Sequence, residues 1–294
     1  MCRVNRIWCR LRWIAVVLLL AFCTACGNQP VAVAPGSGVT VKILDVGQGD
    51  AILIRTPEQV TLIDTGDVPA RDKLVSLLKQ QGISSIDQVI ITHPHSDHLG
   101  GMAAVIDNFT VKKVYDSGQP ATTALYRNYL NQLQKKNIPF QVVRVGDPDI
   151  NIGTGVQLKV FGPQKTLMTG SESDLNNNSV VVRLSYGAFS VLLMGDAEKE
   201  TEAVMLKNDA DGLKSTLLKV GHHGSNSSTS LPFLTAVSPE AALICVGANN
   251  DYHHPHPSIV KRLEQKKVPV FRTDLNGTIT ITSDGKTYKI DKER

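Results

Sequence analysis

The densest chemistry in the chain is the run Thr92-His93-Pro94-His95-Ser96-Asp97-His98-Leu99-Gly100-Gly101. Three imidazoles and a carboxylate fall within six residues, directly after the apolar stretch Gln88–Thr92. Alternation sets His93 and His95 on one side of the chain, while Asp97 and His98 swing to the other. Nitrogen and carboxylate donors at that spacing suit two divalent ions held side by side. The bland alternative is a solvated polar loop, but one loop rarely collects three histidines by chance.

Other short segments extend the pattern in a fixed order: Leu44-Asp45-Val-Gly-Gln-Gly-Asp50, Leu62-Ile-Asp64-Thr-Gly66, Asn178-Ser179, Leu193-Met-Gly195-Asp196, Lys219-Val-Gly-His222-His223-Gly-Ser225, His254-Pro-His256-Pro257 and Arg272-Thr-Asp274-x-Asn-Gly277. The motif His93-x-His95-x-Asp97-His98 resembles the signature of the metallo-β-lactamase fold, an αββα sandwich of two mixed β-sheets flanked by helices, with its metal site at one edge of the sheets. The full series resembles the extracellular hydrolase domain of the ComEC competence proteins, free-standing here, over residues 39–283. The resemblance implies that Asp196 bridges two ions, and an Asp capping the following helix is the competing reading. It also favours His223 as a ligand, leaving His222 to face substrate or support the metal shell. Asp97, His98, Asp196 and His223 then complete the second ion's set. The first ion has His93, His95 and Asp196. Relatives of this fold add a third His just before the strand that corresponds to Ser179–Tyr186, where this chain reads Asp174-Leu-Asn-Asn-Asn-Ser179. Water or Asn178 would fill that place, and the oxygen-rich set shifts preference from Zn²⁺ toward Mn²⁺. Asp64 is expected to orient site groups, and so are Asp45 and Asp50 unless they are only turn carboxylates.

Water between two divalent ions is acidified and attacks phosphorus in line. The implied activity is phosphodiester hydrolysis of DNA, with Asp97 in the catalytic set and His254 as general acid for the leaving oxygen; for His254 the bland reading is an exposed loop residue. Ser225, Ser227 and Ser228 either bind phosphate oxygens or form turns. Hydrolysis of a smaller or wall-polymer phosphoester such as phosphorylcholine is the alternative. A non-catalytic, metal-stabilised DNA-binding module is the third reading. Aromatic content of 5% argues against an extended stacking platform for single strands.

The elements that must position these groups alternate short β-rich runs with helical ones. Strands are expected at Val39–Val46, Ala51–Arg55, Val60–Asp64, Gln88–Thr92, Lys113–Tyr115, Gln141–Val145, Val156–Phe161, Ser215–Val220, Ala241–Val246 and Val268–Arg272. Hairpins are expected around Gly187-Ala188 and Asp284-Gly285. Helices are expected at Arg71–Gln81, after Gly100-Gly101, and at Ala121–Lys136, Glu198–Asn208, Leu231–Val237 and Ser258–Gln265. No internal repeat interrupts this α/β pattern.

The 294 residues are 42% hydrophobic and 20% charged, an ordinary globular composition that excludes collagen, coiled coil and wholesale disorder. Arg3, Arg6, Arg10 and Arg12 account for the whole net charge of +4, so no broad basic surface argues for nucleic acid. Those arginines precede the apolar run Ile14–Phe22 and Cys23-Thr24-Ala25-Cys26, the pattern of a secretory signal. Thr24-Ala25-Cys26 resembles a bacterial lipobox, although Cys23 stands where Leu is usual. The expectation is a signal over 1–25, a lipid anchor at Cys26 on the outer face of the bacterial cell membrane, a Pro/Gly linker over 26–38 and one hydrolase domain over 39–294. Plain secretion and a retained signal anchor are the alternatives. Of five cysteines only Cys245 then lies within the domain, in an apolar run that suits packing.

Overall fold

The computed structural model describes residues 38–294; the expected signal, Cys26 and nearly all of the linker lie outside the described residues. Two large sheets carry the chain. The first runs, edge to edge, Tyr288–Lys292, Ile279–Ser283, Val39–Ile43, Ile52–Arg55, Val60–Ile63, Gln88–Ile91, Val114–Asp116 and Phe140–Val142. The second runs Val270–Arg272, Ala241–Ile244, Leu217–Lys219, Phe189–Leu193, Val181–Tyr186, Val156–Gly162 and Ile150–Asn151. Each sheet is antiparallel on one side and parallel on the other. The change falls at Val60–Ile63 against Gln88–Ile91 in the first and at Phe189–Leu193 against Leu217–Lys219 in the second.

The period-two alternation explains the layering. Val41, Ile43, Ile54, Ile63 and Ile90 face Leu158, Val182, Leu184, Val191, Leu193, Leu217 and Leu243 in a dry core between the sheets. The opposite face of the first sheet, with Leu53, Leu62, Val89 and Ile91, packs on helices Arg71–Gln80, Met102–Asn108 and Ala124–Lys135. The opposite face of the second, with Leu192, Leu218, Ala242 and Ile244, packs on Lys199–Asp209, Leu231–Val237 and Pro257–Gln265. The layer order is therefore helix, sheet, sheet, helix, as the resemblance implies. Cys245 is buried in the intersheet core. Among the described residues no helix is long and apolar enough to cross a membrane.

Several elements depart from the sequence expectation. The histidine motif contains the short helix Ser96–Leu99, and further pieces appear at Ser85–Ile86, Thr110–Val111, Ile150–Asn151, Asp174–Asn177 and Thr273–Asn276. Pieces of two to four residues are too short to show a period. The last hairpin pairs Ser283 with Tyr288, so its loop extends past Asp284-Gly285 to Thr287. There the Asp284 carboxylate accepts hydrogen bonds from the Lys286 and Thr287 backbone N–H groups.

Candidate metal centre

The carboxyl ends of strands from both sheets deliver the polar groups to one rim. Gln88–Ile91 leads into Thr92–Asp97, Phe189–Leu193 into Asp196, and Leu217–Lys219 into His222-His223. Backbone constraints make the approach possible. Gly195 turns with φ +52°, and a Cβ there would lie 3.0 Å from the Thr92 side chain and 3.2 Å from that of Ser179. His222 and His223 are both left-handed, with φ of 47° and 51°. That conformation is costly without glycine and tends to persist where surrounding contacts enforce it.

Asp97, His98, Asp196 and His223 each present a donor atom, all within 4.8 Å of one another. His98 Nε2 lies 3.2 Å from Asp196 Oδ2, His223 Nε2 3.5 Å from Asp196 Oδ1, and His223 Nε2 3.2 Å from Asp97 Oδ2. His98 Nε2 and Asp196 Oδ1 are buried and have no aligned hydrogen-bond partner. Converging nitrogen and oxygen atoms without aligned partners are what a divalent ion would satisfy in place of the imidazole proton, so these residues fit one. Charge balance agrees. Burial would lower the His98 pKa, but Asp196, Asp64 and Asp97 overcome it and raise it well above the usual imidazole value. Burial of His223 is likewise overridden, chiefly by Asp196. Burial opposes ionisation of Asp196 and Asp97, yet the neighbouring histidines hold both well below the usual carboxylate range. The pocket thus keeps its carboxylates ionised and draws in positive charge.

A buried polar layer fixes these ligands from behind. The Asp64 carboxylate lies 2.7 Å from His98 Nδ1 and accepts from the Thr92 backbone N–H and hydroxyl. Asp50 Oδ1 lies 3.3 Å from His223 Nδ1, which also contacts the Cys245 carbonyl at 2.9 Å. Asp50 is itself paired at 2.6 Å with Lys219, both fully buried. Burial raises the Asp64 pKa despite His98, whereas Lys219 and His223 reverse the burial effect at Asp50 and lower its pKa. Asp64 and Asp50 therefore stand behind the cluster. Lys219 was missed, although a lysine inside the apolar run Ser215–Val220 was the available signal.

On the Oδ2 side of Asp196, which His98 shares, His93 Nε2 lies 3.8 Å from Oδ2 and 2.9 Å from His95 Nδ1. His222 Nδ1 contacts Glu198 Oε1 at 2.9 Å, a partner sequence reasoning did not supply. His254 sits nearby, its ring 5.4 Å from that of His222 and 6.3 Å from that of His223. Its pKa is pushed down to about 4, first by burial and then by His222 and His223, so the ring is neutral at pH 7.

Three expectations change here. Asn178 is not open to an ion: its carbonyl oxygen accepts from Met168 N–H, and its NH₂ donates to Gln119, Met168 and Asp174 oxygens. Asp45 is remote from the cluster, paired with Lys73 at 3.3 Å and Arg294 at 3.2 Å, because its turn faces those cations. Ser225 spends its hydroxyl on Ser227 inside the turn after His223, which favours the turn-forming reading over phosphate binding.

Comparison with known proteins gives a consistent picture. Residues 44–248 match the metallo-beta-lactamase superfamily. ComE operon protein 3 of Bacillus subtilis is 32% identical over 257 residues, covering 81% of this chain and 32% of that protein. Competence protein ComA of Neisseria gonorrhoeae is 32% identical over 267 residues, covering 90% of this chain and 35% of its own length. The chain thus spans about a third of the length of the curated relatives it matches. The metallo-beta-lactamase fold protein YhfI from Bacillus subtilis shares the fold, with a TM-score of 0.54 at 13% identity over 83% of this chain and 99% of that one.

Proposed function

The chain belongs to the metallo-beta-lactamase superfamily, and from that premise we propose that it is a metal-dependent phosphodiesterase acting on DNA outside the cytoplasmic membrane. The observation that carries the reading is the convergence of Asp97, His98, Asp196 and His223, with orphaned donor atoms, at one rim of the two sheets. Similarity to competence proteins supports DNA as the substrate.

Two bound divalent ions, Zn²⁺ or Mn²⁺, would acidify a water and neutralise charge on a phosphoryl oxygen. His93, His95 and Asp196 would hold one, and Asp97, His98, Asp196 and His223 the other. Asp97 is the most solvent-accessible of the second set, with 22% side-chain exposure. Its ionised carboxylate can orient an attacking water by accepting its hydrogen bond. His254 takes a different part from the protonated acid expected from sequence, because its ring is neutral. With Nδ1 buried and unpartnered, Nε2 is the atom left to donate to a phosphoryl oxygen, a role a neutral imidazole fills.

Tyr252 supports a nucleotide in this position. It is 66% exposed yet stacked on His254, with centroids 5.7 Å apart and planes 25° apart. His254 is inclined by the same 25° to His223. Asn250 braces the loop by accepting from His254 N–H and donating to the His254 and Gly247 carbonyls. The column of rings ends in an open tyrosine face on which a base can stack, an interaction worth roughly 1–3 kcal/mol. Tyr252→Ala is therefore expected to raise KM for DNA by roughly 5–150-fold and leave bis-nitrophenyl phosphate nearly unchanged.

The direct test is turnover of DNA, bis-nitrophenyl phosphate and phosphorylcholine esters by the full chain with Zn²⁺ or Mn²⁺. DNA cleavage supports the reading; turnover of choline esters alone replaces it with the wall-polymer alternative. Lipid anchoring at Cys26 belongs to the same proposal. Wild type should sediment with membranes and Cys26→Ser should escape processing there, whereas wild type free in the medium would make the protein simply secreted.

A further inference from the structure

We propose that His222 is the third nitrogen ligand of the first ion pocket, standing in for the histidine that the stretch Asp174–Ser179 lacks. The inference rests on the metal-dependent reading above and adds a ligand to it.

Three nitrogens surround Asp196 Oδ2: His98 Nε2 at 3.2 Å, His93 Nε2 at 3.8 Å and His222 Nε2 at 3.8 Å. His222 thus stands as close to the shared carboxylate as His93 does. The second ring nitrogens of His98, His223 and His222 share one pattern. A metal-binding histidine almost always gives its second nitrogen to a carboxylate or carbonyl, which fixes the tautomer. His98 Nδ1 meets Asp64 at 2.7 Å, His223 Nδ1 meets the Cys245 carbonyl at 2.9 Å, and His222 Nδ1 meets Glu198 at 2.9 Å. With Nδ1–H donated to Glu198, the lone pair of His222 is on Nε2, facing Asp196.

The asparagine run acquires a role from this arrangement. Asn176 Nδ2 donates to Glu198 Oε1 at 3.0 Å, and Asn177 Oδ1 accepts from the Glu198 backbone N–H at 3.2 Å. The segment that supplies no imidazole therefore positions the carboxylate that orients one from elsewhere. Rival donors there are committed. Asn178 holds the Met168 loop, and the Ser179 hydroxyl accepts from the Asp196 backbone N–H. The left-handed turn at His222, closed by its N–H to the Gly195 carbonyl at 3.1 Å, brings the ring to the Asp196 side of the rim.

The test is a count of Zn²⁺ bound by the full chain after chelator stripping, with the two affinities resolved by competition against a chromophoric chelator. Wild type should take up two equivalents. His222→Ala and His95→Ala should each lose the same single equivalent, the double variant no more than that one, and Asp97→Ala the other. Glu198→Gln, which keeps the Asn176 contact, should retain two equivalents and weaken one by about 10–100-fold. Circular dichroism of each variant separates ligand loss from unfolding, and Glu198→Gln reads the same ion if His222→Ala fails to fold. Two equivalents at unchanged affinity in His222→Ala would overturn the assignment and leave the metal-dependent reading intact. No Zn²⁺ in wild type would overturn both.

Discussion

The two proposed ion pockets share Asp196 but are made of different material. Behind His98 and His223 stand Asp64, Asp50 and the buried Lys219, so every group in that lobe is closed from water except Asp97. Behind His93 stand only hydroxyls, Thr92 at 3.1 Å and Ser179 at 3.4 Å, while His95 and His222 reach partly into solvent. The first construction compensates charge inside the fold and suits an ion that stays. The second is partly open to solvent and suits an ion whose shell must admit the proposed phosphoester.

The largest expected effect lies in the closed lobe. Asp97→Ala should lower phosphodiester hydrolysis by on the order of 10³-fold or more, since it removes both a ligand and the water-orienting carboxylate. Thermal melting near wild type would show that the rim, not the fold, was hit. Wild-type turnover in that variant would remove Asp97 from the site. Next comes Lys219→Met, which removes the 2.6 Å ion pair of the buried Asp50 carboxylate and leaves it only the longer contact with His223. A loss of about 3–5 kcal/mol in urea unfolding is expected, and a loss under 1 kcal/mol would mean that Asp50 does not depend on the lysine.

Asp116 sharpens the contrast because it is a buried carboxylate with no ion pair among the described residues. It accepts from Tyr129 OH and Gly118 N–H, yet burial pushes its pKa up to about 6. The folded chain therefore holds this proton more tightly than the unfolded chain does. The contribution to stability is full below about pH 4 and is lost as pH rises to about 6. Asp116→Asn should flatten that stretch of the stability profile and gain up to about 3 kcal/mol at pH 7. An unchanged profile would show that Asp116 ionises normally. The smallest effect is in the open lobe. His254→Ala should slow DNA and bis-nitrophenyl phosphate alike by roughly 10–100-fold, the worth of one hydrogen bond to a charged oxygen. A loss confined to DNA would restore the acid role inferred from sequence.

The same contrast explains what could be read from the sequence. His93, His95, Asp97 and His98 are neighbours in the chain, and Asp196 and His223 follow apolar strands, so type and spacing marked them. The layers were legible for the same reason, since alternation in runs such as Val39–Ile43 reports one buried face. What pairs at long range was not legible. Nothing near Asp50 announces Lys219, and nothing in Asp174–Ser179 announces Glu198. Asn178 was misread because an amide's partners decide its role, and these lie in the loop at Met168 and at Gln119. Asp45 and Asp64 both follow strands. Only Asp64 lies against His98, in a left-handed turn at φ +58°.

The central claim is that hydrolysis depends on ions held by this rim. It is tested most directly by stripping the full chain of metal and returning Mn²⁺ or Zn²⁺ stepwise, with bound ion and DNA cleavage measured on the same samples. The account predicts no cleavage in the stripped chain and cleavage that rises with the second equivalent bound. Full cleavage by the stripped chain in excess chelator would contradict it.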